Sequence, residues 1–110
     1  MKKNIHPAVR YICEYIDLHL TEDLSYRQLK TCLNVSQHDL AGRFPRNTGF
    51  TVTNYIIRQR LELVISKVRK GSRLETAVYS SGFHTYSHFY KEFRSHYGVS
   101  PRAYFQSTQK

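Results

Sequence analysis

Ser80-Ser81-Gly82-Phe83-His84-Thr85-Tyr86-Ser87-His88-Phe89-Tyr90-Lys91-Glu92-Phe93-Arg94, followed by Tyr97-Gly98-Val99-Ser100-Pro101 and Tyr104-Phe105, decides the fold, because a looser copy stands about 49 residues earlier. Leu29, Leu33, Asn34 and Val35 correspond at an offset of 48 to Ala77, Ser81, Gly82 and Phe83. Past one inserted residue near His84, the offset becomes 49: Ser36, Leu40, Phe44, Gly49, Thr51 and Tyr55 align with Thr85, Phe89, Phe93, Gly98, Ser100 and Tyr104. The paired residues share a chemistry. Asn34 and Gly82 are the residue types that accept a left-handed backbone, as a tight turn between helices requires. Ser36 and Thr85 can then cap the next helix by accepting from its free N–H groups. Each copy reads as helix, sharp turn, capped second helix: a helix-turn-helix.

Working outward, Val9, Ile12, Cys13, Ile16 and Leu20 recur every three or four residues and predict an amphipathic helix at Pro7. Ser25 caps a short helix bearing Leu29, Cys32 and Leu33, and Gly49 ends the helix that Ser36 begins. Thr51 opens a longer one with Ile57, Leu61, Val64, Ile65 and Val68 on its apolar side, running to Lys70-Gly71. Its 20 residues would measure roughly 30 Å, close to the pitch of B-DNA, roughly 34 Å. Leu74 to Ser81, Thr85 to Tyr97 and a last turn opened by Ser100-Pro101 complete the chain. Nothing reads as a strand. The expectation is an all-α fold of about seven helices, with helix-turn-helix subdomains over 5–50 and 71–106 joined by a linker helix over 51–70, no flexible tract between them.

At 110 residues the chain fits one compact unit or two very small ones sharing a core, which disfavours an enzyme with a large pocket. No apolar run reaches membrane-spanning length and no signal peptide opens the sequence, so a cytoplasmic location without membrane contact is expected. Cys13 and Cys32 fall at apolar positions and are expected as reduced thiols in the core. Residues 1–42 hold five basic and five acidic side chains, whereas residues 43–110 hold twelve basic and three acidic; the whole surplus of +9 lies in the second part. Such a surplus favours a polyanionic partner.

Gly82-Phe83, Ser87-x-Phe89, Phe93, Gly98-x-Ser100-Pro101 and Tyr104, with Arg60-Leu61 and the weaker Ser36…Leu40…Phe44…Gly49, resemble the DNA-binding domain of the AraC/XylS family of bacterial transcription regulators. The likeness runs from about Ile5 to Phe105. It implies two helix-turn-helix units, bridged by one long helix, that place recognition helices in adjacent major-groove segments of double-stranded DNA. It also implies RNA polymerase as a further partner, and a separate sensing or dimerisation domain for which this chain has no room.

At about 100° per residue, Phe89, Phe93 and Tyr97 share one side of the second recognition helix, opposite Ser87, His88, Lys91, Arg94 and Ser95. Lys91 can donate to guanine O6/N7 or to phosphate, and Ser87 and His88 to a base edge, while Arg94 is placed for backbone. Tyr86, at the boundary of the core, is counted with the candidate DNA-contacting residues of this helix. The first recognition helix buries Leu40 and Phe44 and presents His38, Asp39, Gly42, Pro45 and Arg46, with Arg43 beside them. Gly42 falls where the family often has a long basic or polar reader, and Pro45 where it commonly has lysine. Glycine inside a helix costs on the order of 1 kcal/mol and proline roughly 3, so a bent or early-ending helix is expected at Pro45. The second unit is therefore expected to supply most base discrimination, and the first to supply register through Arg46, Arg43 and His38.

His84 and His88 have a metal-ligand spacing but no third ligand. No catalytic pattern, cofactor motif or metal site emerges, and the aromatic residues mostly mark packing. The alternative left open is a basic helical interaction module that binds an acidic partner.

Overall fold

A computed structural model describes residues 5–108. Seven α-helices stand among the described residues, without a strand: α1 (Pro7–Leu18), α2 (Tyr26–Leu33), α3 (Phe44–Thr48), α4 (Val52–Arg69), α5 (Leu74–Ser80), α6 (Tyr86–Tyr97) and α7 (Pro101–Thr108). The expected starts follow from caps that are in place. Ser25 Oγ accepts from the Gln28 N–H at 3.3 Å, Thr51 Oγ1 from Asn54 at 3.1 Å, and Ser100 Oγ from Ala103 at 3.1 Å. Proline at the first position of α1 and α7 costs nothing, since that N–H has no helical partner in any case. Among the described residues no helix is long and apolar enough to cross a membrane.

The chain divides into two compact units, up to Gln59 and from Arg60 onward, so the boundary falls inside α4. In the first, Val9, Ile12 and Ile16 of α1 pack with Leu24, Leu29, Leu33, Leu40, Phe44, Val52 and Ile56. Beside this core the Asp17 carboxylate accepts from the Tyr55 hydroxyl and from Gln59 Nε2, both at 3.0 Å, which ties α1 to α4. Burial, first of all, pushes the Tyr55 hydroxyl far above its ordinary pKa, so it stays a donor.

In the second unit Leu61, Val64 and Ile65 of α4 are buried, as are Ala77, Val78, Phe83, Phe89, Phe93 and Phe105. Phe93 is the hub of an aromatic cluster, with ring centroids of Tyr97, Tyr104 and Phe89 at 4.6, 5.3 and 5.6 Å. Lys67 Nζ donates to the Ser80 carbonyl at 2.7 Å and to its hydroxyl at 2.9 Å, placing a cation at the negative end of α5.

Three expectations are corrected. Cys32 is exposed and Cys13 only half-buried, and neither is in a disulfide; Leu29 and Leu33 take the buried stripe of α2, and the Cys32 sulfur accepts from Gln28 Nε2 at 3.2 Å. In α4 the buried set near its start is Val52 and Ile56, whereas Ile57 and Val68 are half-buried. The helix bearing Pro45 does not stop there. It reaches Thr48 and ends at Gly49, whose φ of 83° is left-handed.

Ser81, at the end of α5, is fully buried and its hydroxyl has no hydrogen-bond partner among the described residues. Its counterpart in the first unit is Leu33. Ser81→Ala is therefore expected to raise stability to urea by about 1 kcal/mol, whereas Thr85→Ala, across the same turn, should lower it by about 1 kcal/mol. A large loss on Ser81→Ala in urea unfolding would contradict the unpaired hydroxyl.

Candidate nucleic-acid interface

The two candidate surfaces belong to different units and are built by similar means. In the first unit Asn34 takes φ 55° and ψ 41°, and its N–H donates to the Lys30 carbonyl, closing α2. Two residues later Ser36 Oγ accepts from the Asp39 N–H at 3.0 Å, while Asp39 Oδ2 accepts from the Ser36 N–H at 3.2 Å. This is a reciprocal capping box with aspartate as the returning acid. In the second unit Gly82 takes φ 108° and Thr85 Oγ1 accepts from the His88 N–H at 3.1 Å.

After Ser36 the chain is helical from residue 37, but Asp39–Arg43 forms a π-turn in which the Phe44 N–H donates to the Asp39 carbonyl. Pro45 accounts for it. Its ring would crowd the carbonyl four residues back, that of Ala41, and it has no N–H to give in return. A wider turn just before the proline relieves that crowding, and Pro45 then sits in the first turn of α3, where proline is tolerated. Of the bent or early-ending helix expected at Pro45, the early ending does not occur, and the distortion takes the form of the π-turn.

Along this segment Leu40 and Phe44 are fully buried and His38 and Arg46 exposed. Arg43 is drawn inward: its Nη1 donates to Asp39 Oδ1 at 2.7 Å. That bond, followed by the Ser36 N–H, holds the Asp39 carboxyl below its ordinary value of 3.8. Gly42 lies beneath two of the other named residues. A Cβ built on it would be 3.1 Å from His38 Nδ1 and 3.6 Å from Arg46 Nη1.

On α6, Phe89 and Phe93 are fully buried, and Ser87, His88, Lys91, Arg94 and Ser95 are exposed on other faces. Lys91 and Arg94 make no side-chain hydrogen bond or ion pair among the described residues, so both cations are available to a ligand. Tyr86 is half-buried with its ring 5.3 Å from that of Phe89, and burial is the main cause raising its hydroxyl pKa. It leans on the core more than it projects. His88 is also restrained: its ring meets the Phe83 edge at 5.7 Å, and its Nε2 lies 3.5 Å from Glu92 Oε2. His96 Nε2 approaches the other Glu92 oxygen at 3.8 Å. Sequence reasoning missed this bridge, although the spacing of four between His88, Glu92 and His96 carried the signal. Among the described residues no cluster of three or more potential ligands could hold a metal ion.

A family described as "Helix-turn-helix domain" matches residues 29–107. Among curated proteins, the probable transcriptional regulator LumQ of Photobacterium leiognathi is 30% identical over 94 residues, which is 84% of this chain and 38% of that protein. The chain therefore spans well under half the length of this relative. Among solved structures, the C-terminal domain of AraT, a response regulator from Geobacillus stearothermophilus, is similar with a TM-score of 0.88 at 23% identity, covering 98% of this chain and 91% of that one. A probable AraC family transcriptional regulator from Rhodopseudomonas palustris CGA009 gives 0.78 at 22% identity, covering 96% of this chain and 100% of that one. A Listeria innocua protein of unknown function gives 0.82 at 24% identity, covering 94% and 100%. At these identities the structures share the fold.

Because folding lowers the Asp39 pKa, its ionised form adds stability above the ordinary value of 3.8, and that contribution is lost as pH falls through the lower folded value. Asp39→Asn keeps an acceptor for the Ser36 N–H and removes the charge held by Arg43. The variant is expected to show a flatter decline in urea midpoint than the parent between about pH 5 and pH 2; parallel declines would show that Asp39 is not held as described.

Proposed function

We propose that this chain, which belongs to the AraC-type helix-turn-helix domain family, reads double-stranded DNA by sequence as the DNA-binding part of a bacterial transcription regulator. The family is one of DNA-binding regulators, not of enzymes. The observation that carries the finer reading is the division of α6: Phe89 and Phe93 are fully buried while Ser87, His88, Lys91 and Arg94 are exposed near a capped helix start. That is the arrangement a recognition helix needs, with an apolar side anchoring it and short and long polar side chains reaching base edges and phosphates.

In this reading the two capped helices, Ser36 to Thr48 and α6, occupy adjacent major-groove segments, with α4 as the connection between subdomains over 5–50 and 71–106. Lys91 donates to guanine O6 and N7. Ser87 and His88 address neighbouring edges, with Glu92 restraining the His88 ring, and Arg94 grips phosphate. Tyr86 supports this helix from the edge of the core. In the first unit Arg46, with His38, holds the backbone, and Arg43 contributes with the donors that Asp39 leaves free, since a guanidinium has five. Base discrimination comes mainly from the second unit. The sensing or dimerisation function belongs to another part of a longer regulator, and RNA polymerase is the further partner.

Selection from a random duplex library, followed by footprinting, tests the class, the site length and the unequal roles of the units. A sharper preference in the half bound by residues 36–46 would overturn the assignment of base reading to α6; no preference at all would favour the interaction-module alternative. Affinity is expected to drop steeply between about 50 and 200 mM salt, as it does for several phosphate contacts; a flat response would contradict the model of binding. Lys91→Ala should cost about 1–3 kcal/mol on the selected site and less on random duplex, read by fluorescence anisotropy.

A further inference from the structure

Gly42 lies on a half-exposed helix face, and only exposed side chains of its own helical segment stand over it. Its φ is not among the positive ones, so the backbone does not demand glycine. The core does not demand it either. The atoms nearest a Cβ built at this position are Nδ1 and Cε1 of His38, at 3.1 and 3.3 Å, and Nη1 of Arg46, at 3.6 Å, all from exposed side chains. An imidazole four residues before and a guanidinium four residues after lean over the same bare stretch of main chain.

We infer that this notch is a seat for one phosphodiester group of the duplex backbone, an inference that rests on the DNA-binding reading above. The chemistry fits an anion with several acceptor oxygens. Arg46 supplies a full positive charge and a planar set of donors, His38 a ring N–H, and the missing side chain lets an oxygen come down between them onto the helix surface. The one carboxylate of this segment, Asp39, would oppose an anion, but it is paired with Arg43 at 2.7 Å. A Cβ at position 42 would press on the His38 ring and fill the floor of the notch. The seat therefore makes Gly42 a determinant of how closely this helix approaches the duplex, independent of base sequence.

The test compares the full chain with Gly42→Ala on the selected duplex and on random duplex. The variant is expected to melt at the same temperature or higher, because alanine is the better helix former. It should bind about threefold to tenfold more weakly on both duplexes, with a salt slope shallower by about one. A scan of single methylphosphonate linkages should reveal one phosphate whose neutralisation weakens the parent but not Gly42→Ala. Should the variant melt below the parent, Arg46→Ala, at an exposed residue, provides the same comparison. Unchanged affinity and slope in the variant would overturn the seat, as would a loss confined to the selected sequence, which would mark a base contact instead. A parent that binds no duplex removes the DNA reading and the seat together; a binding parent with an indifferent variant removes the seat alone.

Discussion

Two helices can meet at a steep angle across a few residues only if the chain reverses its twist there, and for L-amino acids that reversal is open to few side chains. This chain meets the constraint twice, with Asn34 at φ 55° and Gly82 at φ 108°. The rest follows from those two positions. Once the reversal is made, Ser36 and Thr85 stand where their oxygens can take the free N–H groups of the following helix, and the cap fixes the phase of that helix. Phase decides which residues are buried. Leu40 and Phe44 in one unit, and Phe89 and Phe93 in the other, turn fully inward, leaving polar side chains to solvent. Asparagine serves in the first turn because its short polar side chain tolerates the left-handed region at modest cost.

The helical segment from residue 37 to Thr48 shows how an unfavourable residue is absorbed. Proline in a continuing helix both lacks a donor and crowds an upstream carbonyl. The π-turn over Asp39–Arg43 widens the backbone just ahead of it, so Pro45 occupies a helix start instead of a helix interior. Arg43 reaches back to Asp39, and that carboxylate serves the capping box and the guanidinium together. The helix start and the candidate binding surface share the same atoms here, which ties the electrostatics of this face to the integrity of its cap.

Most of the fold could be read from the residues, because the signals were local and chemically distinct: a left-handed residue, a capping hydroxyl, an apolar period, a closing glycine. Ser25, Ser36, Thr51, Thr85 and Ser100 all cap as their types suggest. The readings that failed were of a different kind. A π-turn cannot be seen when a uniform 100° per residue is assumed, and proline alone does not say whether a helix stops or widens. Cys32 was misplaced because cysteine is apolar enough to count toward a stripe that Leu29 and Leu33 already complete. The Glu92 contacts with His88 and His96 at 3.5 and 3.8 Å depend on how three long side chains turn toward one another, which a spacing of four permits but does not dictate. For the candidate interface, the exposure of Ser87, His88, Lys91 and Arg94 was legible from helical spacing, and the spacing of four between Asp39 and Arg43 carried the signal for their pairing as well.

The seam between the units lies in the middle of α4, which gives Val52 and Ile56 to one core and Leu61, Val64 and Ile65 to the other. Most modular proteins can exchange their parts by recombination in a loop, where a junction disturbs no packing. Here a crossover at the seam would have to splice two half-helices in register, so that a residue facing one interior on the first side of the cut is followed, at helical spacing, by residues facing the other. A single inserted or deleted residue would rotate everything downstream by about 100°. The phase of α4 on either side of the seam is thus constrained by both cores at once.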